Sequence, residues 1–288
     1  MHIITDALPI LAPELITRLA GDALAEDWQT RGDVTSRAVI PTTAQAQAII
    51  RARDSGVLAG LDLAETAFLA HDSGLTVTRH KADGDALAEG HDVISIAGPA
   101  HALLSAERVA LNYLGHLSGI ASKTAKLVAL ITHTEAKICD TRKTTPGLRA
   151  IEKYAVRAGG GANHRFGLYD AVLIKDNHIA VAGGITAALN AAQKNAGDLP
   201  IEIEVDTLAQ FEEALAADAK IVLLDNMTPD MLRAAVALNQ GRAILEASGR
   251  VSEDSVVGIA ESGVDYISVG GITHSALTLD LGLDIDIS

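Results

Sequence analysis

The sequence predicts an α/β protein: a parallel (β/α) barrel with its site on one rim, preceded by a separate α+β layer domain. Three observations carry this. From about Lys137 onward, short β-branched runs alternate with helical patterns, the signature of repeated βα units. Each run is apolar until its C-terminal end and then delivers polar or glycine residues. The core must come from Ala, Val, Ile and Leu, because the 288 residues are 48% hydrophobic but only 3% aromatic, and aliphatic side chains suit helices packed on a parallel sheet.

Before residue 112 the texture differs. Ala-rich helical patterns enclose short strand-like pieces, AQAIIRARDSGVLAG, LTVTRH and HDVISIAG, punctuated by Gly and Asp. The expected division is 1–112 for this domain, joined by the tail 275–288, and 113–274 for the barrel. The segment SAERVALNYLGHLSGIASKTAKLVALI reads as a helix continuing from one domain toward the other. The predicted barrel strands are KICDT, AVLIK, IEIEV, KIVLLD, AILEAS and YISVGG. Between the later ones lie ITAALNAAQKNAG, TLAQFEEALAAD, TPDMLRAAVALNQG and SEDSVVGIAESG, with apolar residues three or four apart. Thr207 with Gln210 forms a capping box, Thr228 precedes Pro229 in a first turn, and Gly241 and Gly263 sit where helices end.

Charge locates the chemistry. The chain has a net charge of −14, yet Lys137 to Lys175 holds eight Lys and Arg against three acidic residues. An acidic protein that gathers cations in one place uses them as a local field for carboxylate or phosphate, not as a nucleic-acid footprint. The scarcity of aromatic residues also argues against base stacking. The single cysteine, Cys139, excludes an intrachain disulfide and a Cys-based metal site, and reads as a small core residue. No apolar run reaches the roughly 18 residues of a membrane span. The first residues lack a cationic n-region, so no secretory signal is expected and the cytoplasm is the expected setting.

At the rim, Arg142, Lys143, His164, Arg165 and Lys175 sit at strand ends or beside the Gly159-Gly160-Gly161 loop, with Thr141 in the same stretch. A guanidinium holds a carboxylate bidentately and a lysine supplies a mobile point charge, so the group suits a dianion and a pyrophosphate together. The plainer alternative, a solvated cationic helix face, accounts for Arg149, Lys153 and Arg157. Lys175 ends an apolar run as a phosphate contact, a Schiff-base nucleophile as in an aldolase, or a structural cation paired with Glu204 or Asp225. Glu204 and Asp225 end successive strands; they suit ribose hydroxyls, a magnesium ion or a developing positive charge, or else neutralise the nearby lysines. Ser248-Gly249 and Gly270-Gly271 end the last two strands, where barrels cradle phosphate on backbone N–H groups. His116, His178 and the other histidines show no ligand spacing, and no zinc site is expected.

The motifs DTRKTTPGLR, GGGANHRFGLYDAVLIKDNH, EIEVD, LLDN, EASG and SVGGITHSA, with RGDVTS near the N-terminus, resemble the quinolinate phosphoribosyltransferases over nearly the whole chain. The resemblance implies an open-faced α/β sandwich joined to an incomplete α/β barrel. It implies transfer of phosphoribosyl from 5-phosphoribosyl-1-pyrophosphate to quinolinate with decarboxylation, a Mg2+ requirement, and a homodimer with shared active sites. By motif position, Arg142, Lys143, His164 and Arg165 would surround the quinolinate carboxylates, with Arg108 from the neighbouring subunit. Lys175 would contact the donor. Glu204 and Asp225 would hold ribose and magnesium, and Ser248, Gly249, Gly270 and Gly271 the 5′-phosphate; Lys143, Glu204 and Asp225 would be catalytic. Two departures stand out, Arg250 and Ala171, where many relatives carry glycine. A molybdate-transport-associated paralogue of the same fold is the nearest alternative, and a phosphate-ligand sensor the non-enzyme one.

Overall fold

The structure, a computed structural model, describes residues 8–286, so the expectations for the first seven residues and the last two lie outside it. In chain order the first elements are α1 (Pro13–Trp28), α2 (Val34–Val39), β1 (Gln45–Ala52), β2 (Gly56–Val57), α3 (Leu61–His71), β3 (Thr76–Arg79), β4 (Ala86–Leu87), β5 (Asp92–Pro99) and α4 (Ala100–Leu130). The barrel region then contributes β6 (Lys137–Cys139), α5 (Arg149–Ala158), β7 (Val172–Ile174), α6 (Asp176–Ala182), α7 (Ile185–Asn195), β8 (Ile201–Val205) and α8 (Leu208–Ala216). It continues with β9 (Ile221–Asp225), α9 (Pro229–Asn239), β10 (Ile244–Ser248), α10 (Glu253–Ala260), β11 (Tyr266–Ser268) and α11 (Gly271–His274), and the chain ends in β12 (Leu281–Asp286).

The described residues form two compact units, one of 8–123, 150–160 and 276–286, the other of 124–149 and 161–275. The structure therefore places 113–123 and 150–160 with the N-terminal residues, not with the barrel as the expected boundary had it. Residue 112 is no boundary because it lies inside a helix. Helix α4 is one uninterrupted 31-residue element, and no Gly-Pro break or turn marks residue 112. Residues 150–158 of α5 group with the first unit, and Lys153 among them is 0% exposed, which corrects its reading as part of a solvated face.

In the first unit an antiparallel sheet runs β12-β1-β5-β3. Strand β1 alternates: Ala46, Ala48, Ile50 and Ala52 are buried in the apolar core, while Gln47, Ile49 and Arg51 point to the opposite face. On that second face Arg51 bridges Asp92 and Asp284 at 2.6 and 3.0 Å, alongside Thr76, Thr78 and Ser95. One covered and one polar face make this an open-faced sandwich. The RGDVTS motif is a cap: the Asp33 carboxylate accepts from the Ser36 N–H at 2.9 Å and from Ser105 Oγ at 3.0 Å, starting α2.

The second unit holds six parallel strands in the order β6-β11-β10-β9-β8-β7, and all six lie within the predicted runs. Ala162 bridges Cys139 outside β6, and among the described residues β6 and β7 do not pair, so the barrel is unclosed. Register decides which residues face where. Glu202 pairs with Leu173 and Ile221, Glu204 with Leu223, Leu223 with Glu246, and Asp225 with Ser248. Paired residues in a parallel sheet share a face, so Glu202, Glu204, Asp225, Glu246 and Ser248 all look one way. The opposite face is Ile203, Val222, Leu224, Leu245, Ala247 and Ile267, all buried, against which α7, α8 and α10 pack. Truncating Ile203 or Leu245 to alanine costs about 2–5 kcal/mol by the usual core scale. Local caps hold as predicted: Thr207 and Gln210 close a capping box, and Thr228 accepts from Met231 N–H ahead of Pro229.

Candidate active site

The polar face ends in a cavity lined by Thr141, Lys143, Asp225, Ser248, Gly249, Gly270 and Gly271, seven of the residues singled out in the sequence. Arg250, noted in the sequence as a departure from glycine, lines it too, as do Asn226 and His274, which were not assigned from the sequence. Glycine is demanded at Gly249 and only favoured at Gly270. Gly249 has φ +104°, and a side chain there would collide with the Asn226 backbone and side chain; a side chain at Gly270 would press on Lys143 and His274. Asp225 anchors the wall, accepting from Ser248 Oγ and Asn226 Nδ2, each at 2.5 Å. Lys143 makes no ion pair among the described residues; its amide N–H bonds Thr141 Oγ1 at 3.0 Å, which fixes the turn that presents it.

Lys175 and Glu204, at the ends of neighbouring strands, form an ion pair at 2.7 Å, so the plainer expectation of a neutralised lysine is realised for Lys175. His178 caps that turn through Nδ1, which accepts from the Lys175 N–H at 3.0 Å. Asp225, two residues past Leu223, shares the face of Glu204.

A second group lies around the DTRK and NHR segments. Asp140, wholly buried, receives the His164 N–H at 2.9 Å and the Asn163 side-chain amide at 2.5 Å, tying the glycine-rich loop to β6. Arg149 braces the same region, donating to Thr144 Oγ1, the Phe166 carbonyl and the Arg142 carbonyl; it was expected on a solvated face and is instead half-buried in hydrogen bonds. The guanidinium of Arg142 has no hydrogen-bond or ion-pair partner among the described residues, and its Nε is fully buried. Arg165 donates to the Ala171 carbonyl at 3.1 Å. Burial, and next the positive charge of Arg142, push the Arg165 guanidinium below its ordinary range, while Glu202 and Asp170 favour its charged form. Arg142 and Arg165 lie near enough for their charges to oppose one another, and one of them has a buried donor unmet, an arrangement whose chemistry suits an anion.

The resemblance set His164 among the residues around the quinolinate carboxylates. It is buried, with Nε2 turned inward to Glu202 at 3.0 Å and Glu246 at 3.5 Å. These three offer ligand atoms within 4.8 Å of one another, a cluster the sequence reading missed. The available signal was that Glu202 precedes Glu204 by two and so shares its face. Arg108, the other predicted contact, is exposed on α4 of the other unit, 3.9 Å from Glu107.

A cavity with glycine walls, a pair of clustered arginines and strand-end carboxylates together narrow the comparison. The quinolinate phosphoribosyl transferase N-terminal domain model matches residues 33–118, and the C-terminal domain model residues 120–284. Nicotinate-nucleotide pyrophosphorylase (carboxylating) of Mycobacterium leprae is 43% identical, covering 91% of this chain and 94% of the relative. Quinolinate phosphoribosyltransferase (decarboxylating) 1 of Nicotiana glauca is 42% identical, covering 92% and 80%. The nicotinate-nucleotide pyrophosphorylase structure from Francisella tularensis superposes with a TM-score of 0.94 at 40% identity, over 98% of this chain and all of that one. With both domain models filled in sequence order and relatives matched end to end, this chain belongs to the quinolinate phosphoribosyl transferase family.

Proposed function

We propose that this protein transfers the phosphoribosyl group of 5-phosphoribosyl-1-pyrophosphate to the ring nitrogen of quinolinate, in NAD biosynthesis in the cytoplasm. The bond from C1′ to pyrophosphate breaks and a bond from C1′ to the ring nitrogen forms. One ring carboxylate leaves as CO2, a proton takes its place, and nicotinate mononucleotide results. The observation that carries this reading is the Arg142–Arg165 pair with its unmet buried donor, since quinolinate presents two adjacent carboxylates of matching charge.

The other residues divide the remaining work. Ser248, Gly249, Gly270 and Gly271, with Lys143 beside them, receive the 5′-phosphate in the cavity they line. Lys175, held by Glu204, steers the donor's pyrophosphate. Glu204 and Asp225 hold the ribose hydroxyls and offset the positive charge that grows on the sugar ring as pyrophosphate departs. These two carboxylates, accessible and on one face, also fit Mg2+, which takes oxygen ligands and shares them with substrate phosphates. When bound, the ion neutralises the leaving pyrophosphate. Arg108 completes the dianion site across a homodimer; its side chain is 66% exposed and therefore available. Among the described residues no helix is long and apolar enough to cross a membrane.

The test is one incubation with quinolinate, the phosphoribosyl donor and Mg2+, followed by chromatography for nicotinate mononucleotide and capture of CO2. Both products are expected in equal amounts, and their absence rejects the assignment. Mixing Arg108→Ala with Lys143→Ala subunits should recover part of the activity that each variant lacks. No recovery places Arg108 in its own subunit's site or outside any site.

A further inference from the structure

Beneath the rim lie three buried ionisable side chains to which the proposed reaction gives no work: His164, Glu202 and Glu246 are 7%, 5% and 0% exposed. Glu202 comes from β8, Glu246 from β10, and His164 from the loop after the Ala162 bridge. Their hydrogen bonds fix the chemistry of the ring. Nδ1 of His164 accepts the backbone N–H of Arg165 at 2.8 Å. A neutral imidazole has one N–H, so the proton sits on Nε2 and is donated toward the Glu202 carboxylate 3.0 Å away, with Glu246 at 3.5 Å as the longer contact. An imidazolium would turn Nδ1–H against the Arg165 N–H. A metal ion on Nε2 would force the proton onto Nδ1 and meet the same clash. The cluster is therefore built to set a tautomer.

The tautomer has a consequence one bond along the chain. With Nδ1 bare, the ring holds the Arg165 peptide N–H, while Asp140 holds the His164 N–H at 2.9 Å. Two successive amides are pinned, and the guanidinium that follows is aimed beside Arg142, whose charge opposes it. Glu202 acts on both sides, accepting from His164 and facing Arg165.

We propose that Glu202 and Glu246 are positioning residues of the dianion clamp, holding His164 as the Nε2–H tautomer and, through Nδ1, holding Arg165 in place against Arg142. The kinetic part of this proposal rests on the quinolinate reading of the site; the tautomer part does not.

Two measurements test it. Long-range 1H–15N correlation spectra of the histidine side chains, with His164→Gln used to identify the His164 signals, should show a protonated Nε2 and a bare Nδ1 near neutral pH in the wild-type protein. Glu202→Ala should mix the two tautomers and raise KM for quinolinate roughly tenfold or more, with KM for the phosphoribosyl donor changed less than about twofold. Glu202→Gln, whose amide oxygen still accepts from Nε2–H, should restore the tautomer and most of the affinity. Glu246→Gln should have the smaller effect of the two sites, as its longer contact implies. A proton on Nδ1, a doubly protonated ring, or a stoichiometric transition metal in the purified protein overturns the proposal. So does Glu202→Ala raising both KM values alike. If the wild type does not turn over quinolinate, the quinolinate reading fails by itself, and the spectra still decide the tautomer. If Glu202→Ala does not fold, the wild-type and Glu246→Gln spectra decide it.

Discussion

The clamp around Arg142 and Arg165 and the cavity around Gly249 and Gly270 both suit negative charge, but they are made of opposite materials. The clamp is side chain: two guanidinium groups set by Asp140, Arg149, His164 and Glu202, with a buried donor left open. The cavity is backbone: glycines admit the chain itself, with Asp225 and Ser248 fixing the wall and Lys143 supplying charge. A planar dicarboxylate is recognised by direction, which guanidinium provides, whereas a phosphate needs many donors at short range, which peptide N–H groups provide. On the proposed reading, the difference makes selectivity for the pyridine and affinity for the donor separable by mutation.

Breaking the clamp should have the largest effect. Arg142→Ala is expected to lower kcat/KM for quinolinate by about 10²–10³-fold, since charge-assisted bonds in a dry site are worth several kcal/mol. Steady-state kinetics with each substrate varied in turn would show whether the loss falls on the pyridine side. Arg149→Ala should cost less, about tenfold, because it supports the Arg142 and Phe166 carbonyls without facing a ligand. Equal losses from both would erase the distinction between clamp and brace.

Breaking the cavity should follow. Gly249→Ala forces a β-carbon onto φ +104° and into Asn226, so KM for the donor should rise about tenfold while KM for quinolinate stays near the wild-type value. The smallest effect belongs to Arg250, which lines the cavity at φ +46° with its guanidinium unpaired among the described residues. Its charge should assist phosphate binding, so Arg250→Gly should raise the donor KM two- to fivefold, more at low ionic strength than at high. An unchanged KM would mean that Arg250 stands at the cavity without contributing to it.

Much of this was legible before the structure. Strands and caps follow short-range rules: β-branched runs found β6 to β11, and Thr207 and Thr228 announced α8 and α9. Rim residues were legible because strand ends carry polar residues in a parallel architecture, which placed Lys175, Glu204 and Asp225 correctly along their strands. The hidden parts depend on contacts between distant segments. Lys153 reads as solvated from its neighbours, yet it is one of seven buried residues among the ten of α5. His164 reads as a ligand, and only the meeting of β8, β10 and the 161–165 loop shows that its ring faces inward to Glu202 and Glu246. Arg149 reads as a helix-face cation, and only the loop folded across it makes it a brace.

The central claim is that the arginine pair selects a second carboxylate. Its most direct test is kcat/KM for quinolinate against nicotinate, which lacks one carboxylate, under the same donor and Mg2+ concentrations. The account predicts a preference for quinolinate of at least about 10³-fold, because the monocarboxylate leaves the buried Nε of Arg142 unmet. Comparable values for the two pyridines would contradict it.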